Sequence, residues 1–256
     1  MHSTERNDGV PPRDGVLDRA AALVAAFDEG SPVLSLAELA RRSGLPKPTV
    51  HRLTGQLVRL RILDRADDGY RLGMWLFELG ELVPQHRTLS EAALPIMTDL
   101  YEATRLRIHL AVLSGIDVVY VEIVGGAGMA VGSRTGGRLP AHATGVGKAM
   151  LAYSPAAVVR TRLEAGLPRL TPRTITSPGA FESELRKIRS VGMAMDLEES
   201  TVGLSCVAAP VFDSDRKVHA ALSITGRTAT FDPGLLGPAV RTAAFTLSRT
   251  LRTSGL

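Results

Sequence analysis

The strongest chemical signal in the sequence is a run of cations, since the stretch from Arg41 to Arg61 holds six Lys or Arg and no Asp or Glu. Cationic side chains bind the phosphates of nucleic acids, and hydroxyl or imidazole groups beside them can reach base edges. The alternative is a basic helix that contacts only solvent. The residues predicted to contact a nucleic acid are Arg41, Lys47, Thr49, His51, Arg52, Arg59, Arg65 and Arg71.

A second candidate is the segment TGVGKA, from Thr144 to Ala149, which has some of the composition of a phosphate-binding loop. A Walker loop needs Gly five residues before the Gly-Lys pair and Ser or Thr after it, but these positions hold His142 and Ala149. The remaining interpretation is an anion, such as a carboxylate, bound at the N-terminus of a helix. The alternative is that the glycines only allow close packing.

Groups that would mark an enzyme are missing from the sequence. The segment from Gly203 to Val207 lacks the second glycine of a nucleophile elbow, and the six histidines show no H-x-x-x-H spacing. The acidic residues Asp196, Glu198 and Glu199 have no companion Cys or His set. We therefore predict no catalytic residue, no metal and no cofactor. An enzyme acting on a small acid, with an incidental basic helix, is the alternative.

Other side chains in the second half could line a pocket. His109 on a predicted strand and His142 before the glycine segment are candidates, although a packed or exposed histidine is the commoner outcome. Arg134 and Arg138 flank a glycine-rich segment and could neutralise an acid. Cys206 lies in an apolar predicted strand and is expected to have no polar neighbours, which predicts an inert buried thiol.

The elements around the basic stretch indicate how its side chains are held. Ser35, with Glu38 three residues later, has the form of a capping box that begins a helix, and Gly44 ends that helix. Pro46 suits the first turn of a second helix, roughly 47–60, whose apolar residues recur at helical spacing. The basic residues are then left on the opposite face of this second helix.

A hairpin signal follows, an Asp-Gly pair at 68–69 with apolar residues on both sides. Helix, short turn, helix and hairpin form the order of a winged helix-turn-helix, whose second helix enters the major groove and whose wing is 65–71 here. A further helix is predicted over residues 72–85, and Pro84 is expected to end or kink it. Its Trp75 and Phe77 lie off the apolar stripe, so they either pack on the winged helix or form a dimer contact.

Several sequence patterns together resemble the isocitrate lyase regulator (IclR) family of bacterial transcription regulators. From Gly15 to about Gly80 they are the leading L-D-R-A helix, the helix start P-K-P-T-V-H-R-L and the exit D-G-Y-R-L-G. From 90 to 251 they are HLAVL, LPAHATGVGKAMLA, LTPRTIT and SCVAAPVFD, similar to the effector-binding domain of that family. The resemblance implies a ligand-responsive DNA-binding regulator.

The predicted fold class is α+β, because the strands of the second half come in hairpins with helices appended to them. The resemblance makes this half a GAF-like effector-binding domain. The predicted domains are a winged helix-turn-helix at 15–83, a linker at 84–89 and the effector-binding domain at 90–251. The family binds mostly small carboxylic or aromatic acids, and its effector-binding positions correspond here to Thr144, Gly145, Asp196, Cys206, Ser223 and Thr225.

The composition predicts the cellular compartment in which the protein is expected to act. A single cysteine excludes an internal disulfide and suits a reducing cytoplasm, while the polar N-terminus does not have the pattern of a secretory signal. No run of about 18 apolar residues predicts a membrane span. The partners predicted with the help of the resemblance are double-stranded operator DNA, a small-molecule effector and further copies of the chain, as a homodimer or dimer of dimers, with no membrane.

Overall fold

The computed structural model describes residues 15–28, 30–125 and 133–253 of the 256-residue chain. The chain divides between Pro84 and Gln85 into two compact units, called the N-terminal and the C-terminal unit below.

The N-terminal unit has the element order of a winged helix-turn-helix. Leu23 of the first helix, Leu39 of the second, Leu53 of the third and Leu63 of the hairpin are buried together in its core. The elements are α1 Val16–Val24, α2 Leu36–Ser43, α3 Lys47–Arg59, β1 Leu63–Ala66, β2 Gly69–Leu72 and α4 Met74–Gly80.

The start of α2 differs in one respect from its sequence prediction. Ser35 Oγ accepts a hydrogen bond from the backbone N–H of Glu38 at 3.2 Å, as expected of an N-cap. The Glu38 carboxylate does not complete the capping box, because Arg41 and Arg42 bind it instead. Those two guanidinium groups lower the pKa of Glu38 to about 2. At the other end, Gly44 has φ 68°, the left-handed conformation in which glycine ends a helix without strain.

The helix predicted for residues 72–85, with Pro84 ending or kinking it, is shorter in the structure. The helix α4 ends at Gly80, and a new helix, α5 Pro84–Thr104, begins at the proline. Proline has no N–H to bond to the carbonyl four residues back, so it suits the first turn of a helix rather than the middle. Residues 84–89, expected to be the linker, are therefore the first turns of a 21-residue helix.

The C-terminal unit is an α+β domain, as predicted. Its six strands form one antiparallel sheet in the order β5-β4-β3-β8-β7-β6. The helices α5 and α9 cover one face, and α6 and α8 cover the other. After α5, the elements are β3 Arg107–Ser114, β4 Asp117–Val124, β5 Arg138–Pro140, α6 Gly145–Tyr153, α7 Ala156–Glu164, α8 Pro178–Val191, β6 Ala194–Leu197, β7 Leu204–Phe212, β8 Val218–Arg227 and α9 Pro233–Thr253.

Alternation along β8 divides its side chains between the two faces of the sheet. Leu222 and Ile224 belong to the core formed with α5 and α9. Ser223 and Thr225 point to the opposite face, where α6 begins. The alternation therefore places the hydroxyl groups of Ser223 and Thr225 near the first residues of α6.

None of the described helices has both the length and the apolar content needed to cross a lipid bilayer.

Candidate functional site

The helix α3 presents a basic face to solvent. Lys47, His51, Arg52 and Arg59 are exposed and Thr49 is half-buried, while Val50, Leu53 and Leu57 lie in the core. A Cβ added at Gly55 would have no heavy atom within 4 Å, so this face is not covered by the rest of the unit. Within the described residues, Lys47, Arg52 and Arg59 have no ion-pair partner, so their charges are available to a phosphate backbone.

The three other predicted contact residues have partners inside the N-terminal unit. Arg41 binds Glu38 at 2.6 Å. Arg71 lies 4.0 Å from Asp64 on the facing strand, and the Arg65 guanidinium lies 5.9 Å from the centre of the Tyr70 ring. All three arginines remain exposed, so these contacts do not bury their charge.

Arg42, which differs in role from Arg41 beside it, holds the N-terminal unit together. Its guanidinium bonds Glu38 at 2.7 Å, Asp28 at 2.8 Å and Ser31 Oγ at 2.8 Å. It also donates to the backbone oxygen of Ala26 at 3.1 Å. The side chain thus ties α2 to the segment that follows α1. Sequence spacing could not separate this structural arginine from its exposed neighbour.

In the C-terminal unit, the six residues assigned to effector binding all line one cavity of about 30 Å³. The cavity lies where the start of α6 meets β6, β7 and β8. Most of the other lining residues carry hydroxyl or imidazole groups: His109, Tyr120, Ser133, Ser200, Thr201 and Ser205. Of these, only His109 was a candidate from the sequence.

The start of α6 packs closely against β7. Thr144 Oγ caps the helix by accepting from the N–H of Gly147 at 3.2 Å. A Cβ added at Gly145 would lie 2.5 Å from Cys206 Sγ, and one at Gly147 would lie 2.1 Å from the Ala141 carbonyl oxygen. Both glycines are therefore required by packing, and the same packing directs the N-terminus of α6 at the cavity.

His109 joins three hydroxyl groups, two from β8 and one from Ser133. Its Nε2 lies 2.9 Å from Ser133 Oγ, and its Nδ1 lies 3.2 Å from Thr225 Oγ1 and 3.5 Å from Ser223 Oγ. Burial, assisted by the charge of Arg107, lowers the pKa of His109 to about 3. The imidazole is therefore neutral at physiological pH and serves the cavity as a hydrogen-bonding group rather than as a cation.

Asp196 is the only acidic residue among the described residues that line the cavity. Its carboxylate accepts from the N–H of Glu199 at 2.7 Å and from Ser200 Oγ at 2.6 Å. Burial raises its pKa, although the bond from Ser200 and the charge of Lys148 oppose that shift. Asp196 is thus a hydrogen-bonded carboxylate in a place where water is scarce.

Cys206 has polar neighbours, contrary to the sequence-based expectation. Asp196 is its register partner on the adjacent strand, and the backbone N–H of Gly145 points at the sulfur. Burial, together with the charge of Asp196, raises the pKa of the thiol to about 12. The prediction of an unreactive thiol agrees with this shift, but the cysteine forms part of a polar cavity wall.

Two expected charges do not reach the cavity. Neither Arg134 nor Arg138 is among its lining residues, and Arg138 instead donates to the carbonyl oxygen of Ser114 at 2.9 Å. His142 bonds the carbonyl oxygen of Pro168 at 3.0 Å, away from the cavity. No Lys or Arg is found among the described lining residues, so the only cationic group there is the partial charge of the α6 N-terminus.

The described part of the chain contains no group of three or more His, Cys, Asp or Glu side chains arranged to hold a metal ion.

Comparisons with known proteins place both units in one family. Residues 16–67 match the IclR helix-turn-helix domain, and residues 82–249 match the bacterial transcriptional regulator IclR C-terminal domain. The HTH-type transcriptional regulator XynR of Escherichia coli is 34% identical, over 92% of this chain and 96% of its own. The transcriptional repressor IclR of Escherichia coli is 32% identical, over 82% of this chain and 79% of its own.

A solved structure agrees with these matches. An IclR homologue of Microbacterium hydrocarbonoxydans, complexed with 4-hydroxybenzoate, has a TM-score of 0.82 and 29% identity, covering 93% of this chain and 100% of its own. The predicted fold, a winged helix-turn-helix followed by an α+β effector-binding domain, is confirmed. The chain therefore belongs to the IclR family of bacterial transcriptional regulators, as a DNA-binding protein that responds to a small ligand.

Proposed function

We propose that the protein is a repressor whose effector is a small carboxylic or aromatic acid bound in the cavity at the start of α6. The observation that carries the proposal is that all six positions assigned to effector binding line this one cavity. The 4-hydroxybenzoate complex of a similar protein and the repressors among the relatives support it.

The lining of the cavity suits an acid with a polar group at its far end. A carboxylate fits the N-terminus of α6, where backbone N–H groups and the helix dipole favour negative charge. A hydroxyl fits the His109, Ser223 and Thr225 group, which can both donate and accept. Asp196 would oppose a carboxylate placed beside its side chain, so we place the acid group at the N-terminus of α6 and away from the Asp196 carboxylate.

The size of the cavity suggests how binding could act as a switch. About 30 Å³ holds one or two water molecules but no aromatic ring. An effector must therefore select a state in which the side chains of the wall have moved apart. A ligand that binds one state more tightly shifts the population toward it, which is the requirement for a response at the DNA-binding unit.

For DNA binding, we propose that α3 enters the major groove and that the wing contacts the backbone or the minor groove. Lys47, Thr49, His51, Arg52 and Arg59 would make the helix contacts, with Arg65 and Arg71 on the wing and Arg41 at the edge.

We propose a homodimer, or a dimer of dimers, that pairs through the N-terminal unit. Met74, Phe77 and Leu82 are 66%, 62% and 73% exposed, which is unusual for side chains of this size so close together in sequence. A second copy would bury them.

We further propose that the protein acts in the cytoplasm and does not turn over its effector, in keeping with relatives that are transcriptional regulators.

The effector proposal is tested by thermal denaturation of the full chain with 4-hydroxybenzoate and with small aliphatic acids. A ligand at 100 times its dissociation constant adds about 2.7 kcal/mol of stability. We expect at least one acid to raise the melting temperature, and Thr225→Val to remove that rise while Thr246→Val, at an exposed position on α9, keeps it. No rise with any acid would contradict the effector class.

The DNA proposal is tested by selecting bound fragments from genomic DNA and measuring their affinity by fluorescence anisotropy. We expect Arg52→Ala to reduce affinity at least tenfold and to flatten its salt dependence. Arg249→Ala removes an exposed arginine from α9 and serves as the matched control. Equal affinity of the two variants would show that α3 is not the recognition helix.

A further inference from the structure

A groove of about 850 Å³ crosses the C-terminal unit outside the effector cavity. It lies between α9, the end of β7 and the last residue of α6, Tyr153. The effector cavity and the groove have no lining residue in common. Its volume is within the range of small-molecule sites in proteins, which is roughly 300–1,000 Å³.

The groove exists because β6 is too short to cover its neighbour. The register of β6 on β7 runs only from Ala194 opposite Ala208 to Leu197 opposite Ser205. Beyond this register, Ala209, Pro210 and Phe212 line the groove along the uncovered edge of β7.

Three arginines give the groove its charge. Arg216, Arg241 and Arg252 line it, and no Asp or Glu is among its described lining residues. None of the three has an ion-pair partner within the described ranges. The carboxylates nearest in sequence are engaged elsewhere, because Asp215 binds Lys217 Nζ at 3.1 Å and Asp213 accepts from the Lys217 N–H at 2.8 Å.

Aromatic side chains give the groove an apolar lining. Phe212 meets Tyr153 edge to face, with ring centres 5.2 Å apart. Phe245 is 60% exposed and stands one turn of α9 after Arg241, so an apolar surface and a guanidinium group are adjacent. This combination suits a flat apolar body that carries negative charge, because arginine both stacks and forms paired bonds to carboxylate or phosphate.

The edge of β7 that β6 leaves unpaired is poorly suited to a peptide added as a further strand. Pro210 has no N–H to donate. The N–H of Phe212 is already bonded to Ser248 Oγ at 2.9 Å. With these donors missing or engaged, side chains rather than backbone must recognise the occupant, which favours a small molecule.

We propose that this groove is a second ligand site, for an aromatic organic anion that carries a carboxylate or phosphate group. The site is independent of the effector cavity. Arg241, one turn from Phe245, binds the acid group, Arg216 and Arg252 add to the positive charge of the groove, and Phe245 contacts the flat body of the ligand.

The test is calorimetric titration of the full chain with 1-naphthyl phosphate, with the neutral 1-naphthol as a comparison. We expect one site for each chain, no measurable binding of 1-naphthol, and at least tenfold weaker binding of the phosphate in the Arg241→Ala/Arg252→Ala variant. Arg249→Ala, which removes an exposed arginine of the same helix outside the groove, and Ser223→Ala, in the effector cavity, should both keep the affinity.

Three results would overturn the proposal. The first is that 1-naphthyl phosphate shows no binding at concentrations up to 1 mM. A dissociation constant of 1 mM corresponds to a binding free energy of about −4 kcal/mol. The second is equal affinity in the double variant and in Arg249→Ala. The third is a change of molar mass in the double variant, measured by light scattering, which would assign the groove to a contact between copies of the chain.

Discussion

Lys148 and Glu199 form an ion pair inside the C-terminal unit, although 51 residues separate them in the sequence. The Lys148 side chain is fully buried, and Glu199 is 8% exposed. Glu184 is the next nearest carboxylate, 4.0 Å from the ammonium group. The pair fastens α6 to the loop after β6, and this loop carries Ser200, which bonds Asp196 in the effector cavity. The Lys148–Glu199 pair lies outside the effector cavity, but it therefore fixes the position of α6 relative to the segment that contains Asp196 and Ser200.

We expect Lys148→Met to lower the free energy of unfolding by about 3–5 kcal/mol, because Glu199 would remain buried without its counter-charge. The Lys148→Met/Glu199→Leu double variant should recover most of this loss, since two apolar side chains can replace a buried pair. Urea denaturation measures both. Arg249→Ala, on an exposed surface, should stay within about 0.5 kcal/mol of the parent. Additive losses in the double variant would contradict the pairing.

His109 should make stability depend on pH in one direction. The unfolded chain binds a proton at this histidine near pH 6.5, whereas the folded chain, with the pKa lowered to about 3, does not. Stability contributed by the neutral imidazole is therefore present above pH 6.5 and falls by about 1.4 kcal/mol for each pH unit below it.

The matched variant is His109→Gln, which keeps hydrogen-bonding groups but cannot titrate. Arg107, Tyr120 and Asp196 lie near the ring and are present in both proteins, so the difference between the two stability curves isolates the histidine. We expect the curves to diverge as pH falls from 6.5 to 4. Parallel curves from urea denaturation would show that His109 can be protonated in the folded protein.

Gly145→Ala should destabilise the C-terminal unit and weaken effector binding, since the new Cβ would lie 2.5 Å from Cys206 Sγ. Overpacking of this kind costs about 1–3 kcal/mol. Removing the sulfur in Gly145→Ala/Cys206→Ala should restore most of the stability, because the next contact, Ala208 Cβ, is 3.4 Å away.

Gly179→Ala is the control for this pair, as its added Cβ meets nothing within 4 Å on the helix α8. We expect it to leave stability unchanged or slightly increased. Thermal denaturation with and without a bound acid measures all three proteins. If Gly145→Ala were as stable as Gly179→Ala, this would show that α6 can move away from β7 at little cost in free energy.

Substitutions at Arg42 and Arg52 should affect different properties, with stability changed by the first and DNA binding by the second. Arg42→Ala removes bonds to Asp28, Glu38 and Ser31, so we expect the melting temperature to fall, with DNA affinity retained while the protein is folded. Arg52→Ala should leave the melting temperature unchanged and reduce affinity. Calorimetry and anisotropy on the same samples give both values. Loss of stability in Arg52→Ala would mean that its side chain packs inside the unit.

The sequence predicts best where the side-chain pattern is local. The apolar stripe of α3 fixes which face is buried, and this alone leaves Arg52 and Arg59 outside. Alternation along β8 likewise fixes which face receives Ser223 and Thr225. Pro84 marks the break between α4 and α5 in the sequence, because proline cannot continue a helix, but no local pattern shows that α4 already ends at Gly80.

Contacts between distant segments could not be predicted from spacing. Glu199 was grouped with Asp196 and Glu198 as an acidic cluster, but its partner comes from α6. Arg42 and Arg41 are adjacent and chemically identical, and the positions of Ala26, Asp28 and Ser31 distinguish their roles. The groove depends on where β6 begins, which no local pattern in the sequence determines.

The hydroxyl groups around His109 have a consequence for selectivity. A neutral imidazole has two tautomers, and each nitrogen here faces a hydroxyl that can either donate or accept. Moving the ring proton from one nitrogen to the other reverses every bond from Ser133 to Thr225 without moving a heavy atom. The wall can thus offer a ligand a donor or an acceptor at the same point. A ligand group that donates and one that accepts would therefore be bound alike at this wall, and discrimination between them would be left to the shape of the cavity.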